Sequence, residues 1–448
     1  MNRAQYEIGS HRIRHYRTPR LVLPILAAIF LLLASSPGHA YSVLAHEAII
    51  DSAWDQIRPL LLQRFPIATP DELRMAHAYA YGGSLIQDLG YYPHGSHFFS
   101  DLTHYVRSGE FIEGLLRDSQ NIDEYAFALG AMAHYAADDD GHQAVNRAVP
   151  LVYPNLARKY GPVVTYEDNP AAHLKTEFGF DVLEVAKGQY ASDAYRDFIG
   201  FEVATPLLER AFQETYGLPL PSLFGDFDKA VGSYRYTVHS TIPKAVRIAW
   251  VLKKDEIQRA KPGITRKKFL YNMSKASYRK NWGKNYQAPG KGAKIVAFII
   301  KLVPKLGPLQ TLTLRLPTPQ TEAMFRSSFN TALDQYQRLL NDQRAGRLHL
   351  VDRNFDTGAL TKPAAYFMAD RAYARLVDNL AKNRFQDVSP GLRADILAYY
   401  RDPTAPIVTK KDAKAWNRLS EELAELKSAG PSQAGNAFLP VSDPAIPQ

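Results

Sequence analysis

Helical periodicity runs through most of this chain. Residues 69–86, "TPDELRMAHAYAYGGSLI", open with Thr69 as N-cap, Pro70 at the first helical position and Glu72 as capping-box partner. Residues 121–139, "NIDEYAFALGAMAHYAADD", repeat the device with Asn121 as cap and Glu124 three positions on. Farther along, "TEAMFRSSFNTALDQYQRLLND" and "AAYFMADRAYARLVDNLAKN" place apolar side chains at three- and four-residue spacing. No stretch alternates as a half-buried strand would, and no internal repeat is present. The pattern predicts an all-α fold.

The two ends depart from it. Arg12, Arg14, Arg17 and Arg20 precede the apolar run at 21–34, which is followed by small residues up to Ala40. That run is short for a bilayer span and is flanked as an export signal is. Residues 1–40 are therefore read as a signal peptide cleaved before Tyr41, which predicts a periplasmic or secreted protein. Residues 431–448, rich in Pro, Gly and Ser, read as a flexible tail.

Charge divides the rest. Between Lys244 and Lys305 there are 17 Lys/Arg against only Asp255 and Glu256, while the whole chain of 448 residues carries +9. The first part of the mature chain is thus acidic and the middle strongly basic, which sets a boundary near residue 245. Residues 41–245 form one expected domain, and 246–430 a basic and then helical C-terminal region. There are no cysteines, so disulfides, thiolate zinc sites, iron–sulfur clusters and a lipoprotein-type anchor are excluded. A metal would have to be held by His, Asp, Glu or backbone groups.

The histidines point that way. Of the ten beyond residue 40, eight lie between His46 and His173, and only His239 and His349 fall later. In "HYAADDDGH" the residues His134, Asp138 and His142 are spaced i, i+4, i+8 and form one stripe along a helix. At about 1.5 Å rise per residue, the two histidine backbones stand roughly 12 Å apart. Both can hardly grip one ion, whereas Asp138 between them can serve two. His173 and Glu177 form a second i, i+4 pair. Asp88 sits before a helix break at Gly90 and Pro93, and "GSHFFSDLTHYV" supplies His97, Asp101 and His104. His46 lies five residues after Tyr41, whose free amine and carbonyl would themselves be ligands. Each H-x3-D or H-x3-E pair taken singly is ordinary helix-surface chemistry, and His77 reads as a helix-packing residue. The conjunction is what points to a multi-metal centre.

The order of these motifs resembles the zinc-dependent phospholipase C family. That family includes the amino-terminal domain of glycosylphosphatidylinositol-specific phospholipase D and shares its architecture with the S1/P1 nucleases. The resemblance covers about residues 41–240 and implies an all-helical domain with about three zinc ions. Carried over, Tyr41 and His46 bind one zinc. Asp88, His134 and either His97 or His104 bind a second, bridged to the first by Asp138. His142, His173 and Glu177 bind the third. Tyr41 stands where the bacterial phospholipases and the nucleases begin with Trp. Residues 250–430 lie outside the resemblance.

The function implied is zinc-dependent hydrolysis of a phosphodiester, most simply in a phospholipid. Zinc acidifies water enough for it to react near neutral pH, and Asp88 is the candidate general base, ahead of Glu47 and Asp101. The basic segment 244–305 fits a phospholipid or membrane surface, since "GKGAKIVAFIIKLVPKLG" joins four lysines to an apolar run. With Tyr271, Tyr278, Trp282 and Tyr286 interleaved, the same stretch could instead follow nucleic acid in a nuclease or 3′-nucleotidase. A non-enzymatic, zinc-stabilised binding domain is the third possibility. If Tyr41 is a ligand, mass spectrometry of exported protein will find it as the first residue; a chain beginning at Met1 would remove that ligand.

Overall fold

One long helix organises the structure, and its sequence shows why. The computed structural model describes residues 43–188, 200–272 and 315–428. Within them, α5 (Ile122–Val152) is buried on nearly every side. Its first half alternates Ala and Gly with aromatic and aliphatic residues, and a helix apolar all round belongs in the interior. Asn121 caps it as expected, its side chain accepting from the Glu124 amide at 2.9 Å.

The chain wraps this axis. Ahead of α5 come α1 (Val43–Arg64), α2 (Pro70–Gly83), a 3-10 turn at Ile86–Tyr91, α3 (His97–Tyr105) and α4 (Ser108–Asp118). After it come α6 (Pro154–Tyr160), α7 (Pro170–Lys187), α8 (Thr205–Tyr216), α9 (Phe227–Tyr236), α10 (Ile242–Ala260) and α11 (Arg266–Asn272). The capping box of α2 forms: Thr69 N–H donates to Glu72 at 2.7 Å, and Glu72 N–H donates to the Thr69 hydroxyl at 3.2 Å.

The α2–α5 crossing is a close one. A Cβ on Gly83 would lie 2.0 Å from the Phe127 carbonyl oxygen, and one on Gly130 would lie 2.1 Å from that of Ala80. Glycine is required on both helices because backbone meets backbone. Just past this crossing, the Ser84 carbonyl reaches into α5.

The C-terminal region lies on the same axis. Along α12 (Pro319–Arg344), Tyr336 donates to the Leu129 carbonyl at 2.9 Å and Ser328 to that of Asp140 at 3.1 Å. A two-residue antiparallel ladder follows, β1 (Arg353–Asn354) with β2 (Ala359–Leu360), Arg353 facing Leu360. The chain continues through α13 (Phe367–Ala381), α14 (Pro390–Tyr399) and α15 (Ala413–Ser428).

The protein is all-α, as the periodicity predicts. The ladder is the exception among the described residues, and two residues per strand leave no period to read. The helix expected from Ala364 begins three residues later. Ala364 takes a left-handed φ of 62°, and Tyr366 is extended.

Of the basic stretch, α10 and α11 are described, with Lys254, Arg259, Lys261, Arg266, Lys267 and Lys268 exposed. The apolar run at 290–307, Tyr278, Trp282 and Tyr286 lie outside the described residues, as do Tyr41, the export segment and the tail. No helix among the described residues is long and apolar enough to cross a membrane.

The glycine crossing can be tested against a glycine with room around it. Gly232, exposed on α9, has nothing within 4 Å of where its Cβ would be. Gly130→Ala should cost about 1–3 kcal/mol through overpacking. Gly232→Ala should gain up to about 1 kcal/mol in helix propensity. Thermal unfolding of the two variants measures the contrast.

Candidate metal centre

A single carboxylate gathers the site. Asp138, with no solvent exposure, sits halfway along α5. Its Oδ1 is 3.5 Å from His46 Nε2, and its Oδ2 lies 3.0 Å from His134 Nε2, 3.5 Å from His142 Nε2 and 3.6 Å from His104 Nε2. The i, i+4, i+8 stripe thus closes on its middle member, with α1 and α3 each adding one imidazole.

Three sets of donors come together, each with its atoms within 4.8 Å of one another. The first is His46, His134 and Asp138; the second Asp88, His104 and His134; the third His142, His173 and Glu177. All are buried. Asp88 enters from the 3-10 turn, 3.4 Å from His104 Nε2. On α7, His173 Nε2 meets Glu177 at 2.7 Å.

Backbone carbonyls aim two of the imidazoles. The Nδ1 of His134 is 3.0 Å from the Ser84 carbonyl, and that of His104 is 2.8 Å from the Ser100 carbonyl. An acceptor at Nδ1 holds the proton there and turns Nε2 toward the centre, as second partners of metal-binding histidines do. The glycine crossing brings Ser84 to His134, so helix packing sets the orientation of a donor.

This donor set fits zinc. The Nε2 atoms of His104 and His134, both ring nitrogens of His142 and His173 and both oxygens of Asp138 are buried without an aligned hydrogen-bond partner. Most of the spacings, 3.4–3.6 Å, exceed a good hydrogen bond. Two ligands on one tetrahedral zinc, each bonded at about 2.0–2.2 Å, are separated by roughly that distance. Nitrogen and oxygen ligands without sulfur are compatible with zinc.

The electrostatics differ across the centre. Burial opposes ionisation of Asp138, yet the surrounding histidines outweigh it and hold the carboxyl well below its usual range. Burial likewise opposes charge on His104, but Asp138 and Asp88 push it up to about 10. His134 is raised against burial by the same two carboxylates. At the third set the balance reverses: burial, with His142 alongside, drives His173 well below its normal value. Burial and the neighbouring carboxylates drive Glu177 well above its own. Around Asp138 the carboxylates favour positive charge on His104 and His134, whereas at the third set burial disfavours charge on both His173 and Glu177.

His97, one of the two alternatives expected as a ligand, falls outside the centre, as do the histidines not expected in it. His97 is exposed at the start of α3, its ring 5.6 Å from that of Tyr91, so the geometry selects His104. His77 stacks on Trp54 with ring centroids 3.7 Å apart, a helix-packing role. His94 is an exposed loop residue, and His349 is exposed beside Glu113. Asp139 accepts from Gln335 Nε2 at 3.1 Å and lies 3.5 Å from Arg353, which leaves Asp138 as the one member of the aspartate run in the centre. Asp101 is pushed up to about 6, chiefly by burial.

Two carboxylates escaped the sequence reading. Asp181, four residues after Glu177 on α7, accepts from the Leu44 amide at 3.2 Å and pins the start of α1; its i+4 spacing was the available signal. Asp356, in the turn of the β1–β2 ladder, lies 3.5 Å from His142 Nε2. Its only sequence signal is the turn-like "NFDTG", more than two hundred residues from His142.

Residues 45–225 match the family profile described as zinc dependent phospholipase C. No curated protein and no solved structure matches the chain.

The choice between His97 and His104 has a direct check in metal analysis by mass spectrometry after dialysis against a zinc buffer. His104→Ala should weaken zinc binding by at least about tenfold, while His97→Ala should leave it unchanged. Equal losses in both variants would contradict the geometry.

Proposed function

We propose, from the premise that this chain carries a domain of the zinc-dependent phospholipase C family, that it hydrolyses phosphodiesters in phospholipids with a centre of about three zinc ions. One observation carries the reading. Inside the matched domain, buried imidazoles from three helices converge on the Asp138 carboxylate, three of them at 3.5–3.6 Å, the spacing of two ligands on one ion.

His46 and Asp138, with the new N-terminus at Tyr41, would hold one ion. Asp88, His104, His134 and Asp138 would hold a second, and His142, His173 and Glu177 a third. Zinc held there supplies Lewis acidity toward water and toward the phosphoryl oxygens. Asp88 is the general base: its fully buried carboxylate is fixed by the 3-10 turn beside the histidines. It takes the proton of the attacking water. The carbonyl-held rings of His104 and His134 keep their donors pre-aimed, so little reorganisation is needed when a substrate arrives.

The exposed lysines and arginines of α10 and α11 support an anionic lipid surface as the place of action. The N-terminal pattern supports export to the periplasm or medium.

Side-by-side assays with phosphatidylcholine, glycosylphosphatidylinositol and single-stranded nucleic acid, with and without chelator, test the reading. Diacylglycerol release that stops on chelation and returns with zinc is expected, and Asp88→Asn should lower kcat by about 10²–10⁴-fold. Nucleotide release without diacylglycerol would instead favour the nuclease. Zinc binding without hydrolysis of any substrate would favour a binding domain.

A further inference from the structure

The segment after residue 225 does more than cover the matched domain, because it places a carboxylate at the metal centre. Asp356 lies at the tip of the β1–β2 ladder and is almost fully buried. Its Oδ2 accepts from the Tyr105 hydroxyl at 2.9 Å and from the Tyr366 hydroxyl. With Oδ2 held by two tyrosines, Oδ1 is turned toward the histidines and stands 3.5 Å from His142 Nε2.

The ladder itself is fixed from several directions. Asn146 on α5 donates to the Asp356 carbonyl at 2.7 Å, and the Phe355 amide donates to the His104 carbonyl at 3.2 Å. Tyr135 donates to the Val351 carbonyl at 2.8 Å, and the Ser108 hydroxyl to that of Arg353 at 2.8 Å. Gly358, at φ 69°, packs so tightly that a Cβ there would lie 2.6 Å from the Asp139 carbonyl oxygen. So many restraints on a two-residue ladder hold the carboxylate in one place.

We propose that Asp356 is a zinc ligand, completing through Oδ1 the set formed by His142, His173 and Glu177; this rests on the zinc reading given above. Those three residues offer three donors, and zinc takes about four. The separation of Oδ1 from His142 Nε2 equals that of Asp138 Oδ2 from the same nitrogen. It is a co-ligand spacing, and His142 Nε2 has no aligned hydrogen bond. The two tyrosine hydroxyls are the outer partners that a ligating carboxylate needs. The region outside the matched domain therefore takes part in binding metal.

Asp356→Asn separates this role from folding, since its amide oxygen can still accept from Tyr105 and Tyr366 while its NH2 group faces the centre. Zinc content and affinity are read by chelator competition, and the visible spectrum of cobalt-substituted protein reports the ligand set independently of activity. The expected result is one tightly held ion fewer per chain, or at least about tenfold weaker binding of it, with altered cobalt bands and an unchanged melting temperature of the metal-free protein. If metal-free Asp356→Asn melts lower, Tyr366→Phe takes its place. It removes one orienting hydroxyl and should weaken the same ion by severalfold. Wild-type zinc content, affinity and cobalt spectrum in the variant would overturn the proposal while leaving the zinc reading intact. Wild-type protein that takes up no zinc would instead overturn the functional reading, and this inference with it.

Discussion

A carboxylate without solvent exposure in the middle of a helical bundle must be compensated, and the structure is built to compensate Asp138. Taking such a group out of water costs several kcal/mol unless charge and donors meet it. His134 and His142 do so from the same helix, one turn to either side, His46 from α1 and His104 from α3. The requirement fixes where three helices stand relative to one another. Between Tyr125 and Ala133 α5 is apolar throughout, and its buried polar stripe begins at His134.

Precision comes from backbone more than from side chains. The glycines at 83 and 130 let α2 and α5 touch. That contact delivers the Ser84 carbonyl to His134. Ser100 does the same for His104 within a single turn of α3. Carbonyls of packed helices have little freedom, so the imidazoles they hold have little either. The chemistry is rigid because the packing beneath it is.

Much of this was legible in the sequence, and the limits have physical causes. Caps at Thr69 and Asn121 and the i, i+4 pairs are local, and local spacing is what a sequence displays. The fold class followed from periodicity. The choice between His97 and His104 did not, because it depends on which face of a nine-residue helix meets α5. Asp356 was invisible for a stronger reason: its neighbours at the site are set by tertiary contacts across more than two hundred residues. A region that seemed an appendage by charge packs along α5 through Tyr336 and Ser328.

That long span has a consequence for how the molecule matures. Pairing residues so far apart in the chain requires closing a large loop, and contacts of high sequence separation form late. His134, Asp138 and His142 are brought together by the winding of α5 alone, whereas Asp356 meets His142 only across more than two hundred residues of chain. The centre thus joins a local helical spacing to a contact that only the whole intervening chain can close. A break in the chain between them would keep the histidine–aspartate stripe of α5 but untie Asp356 from His142.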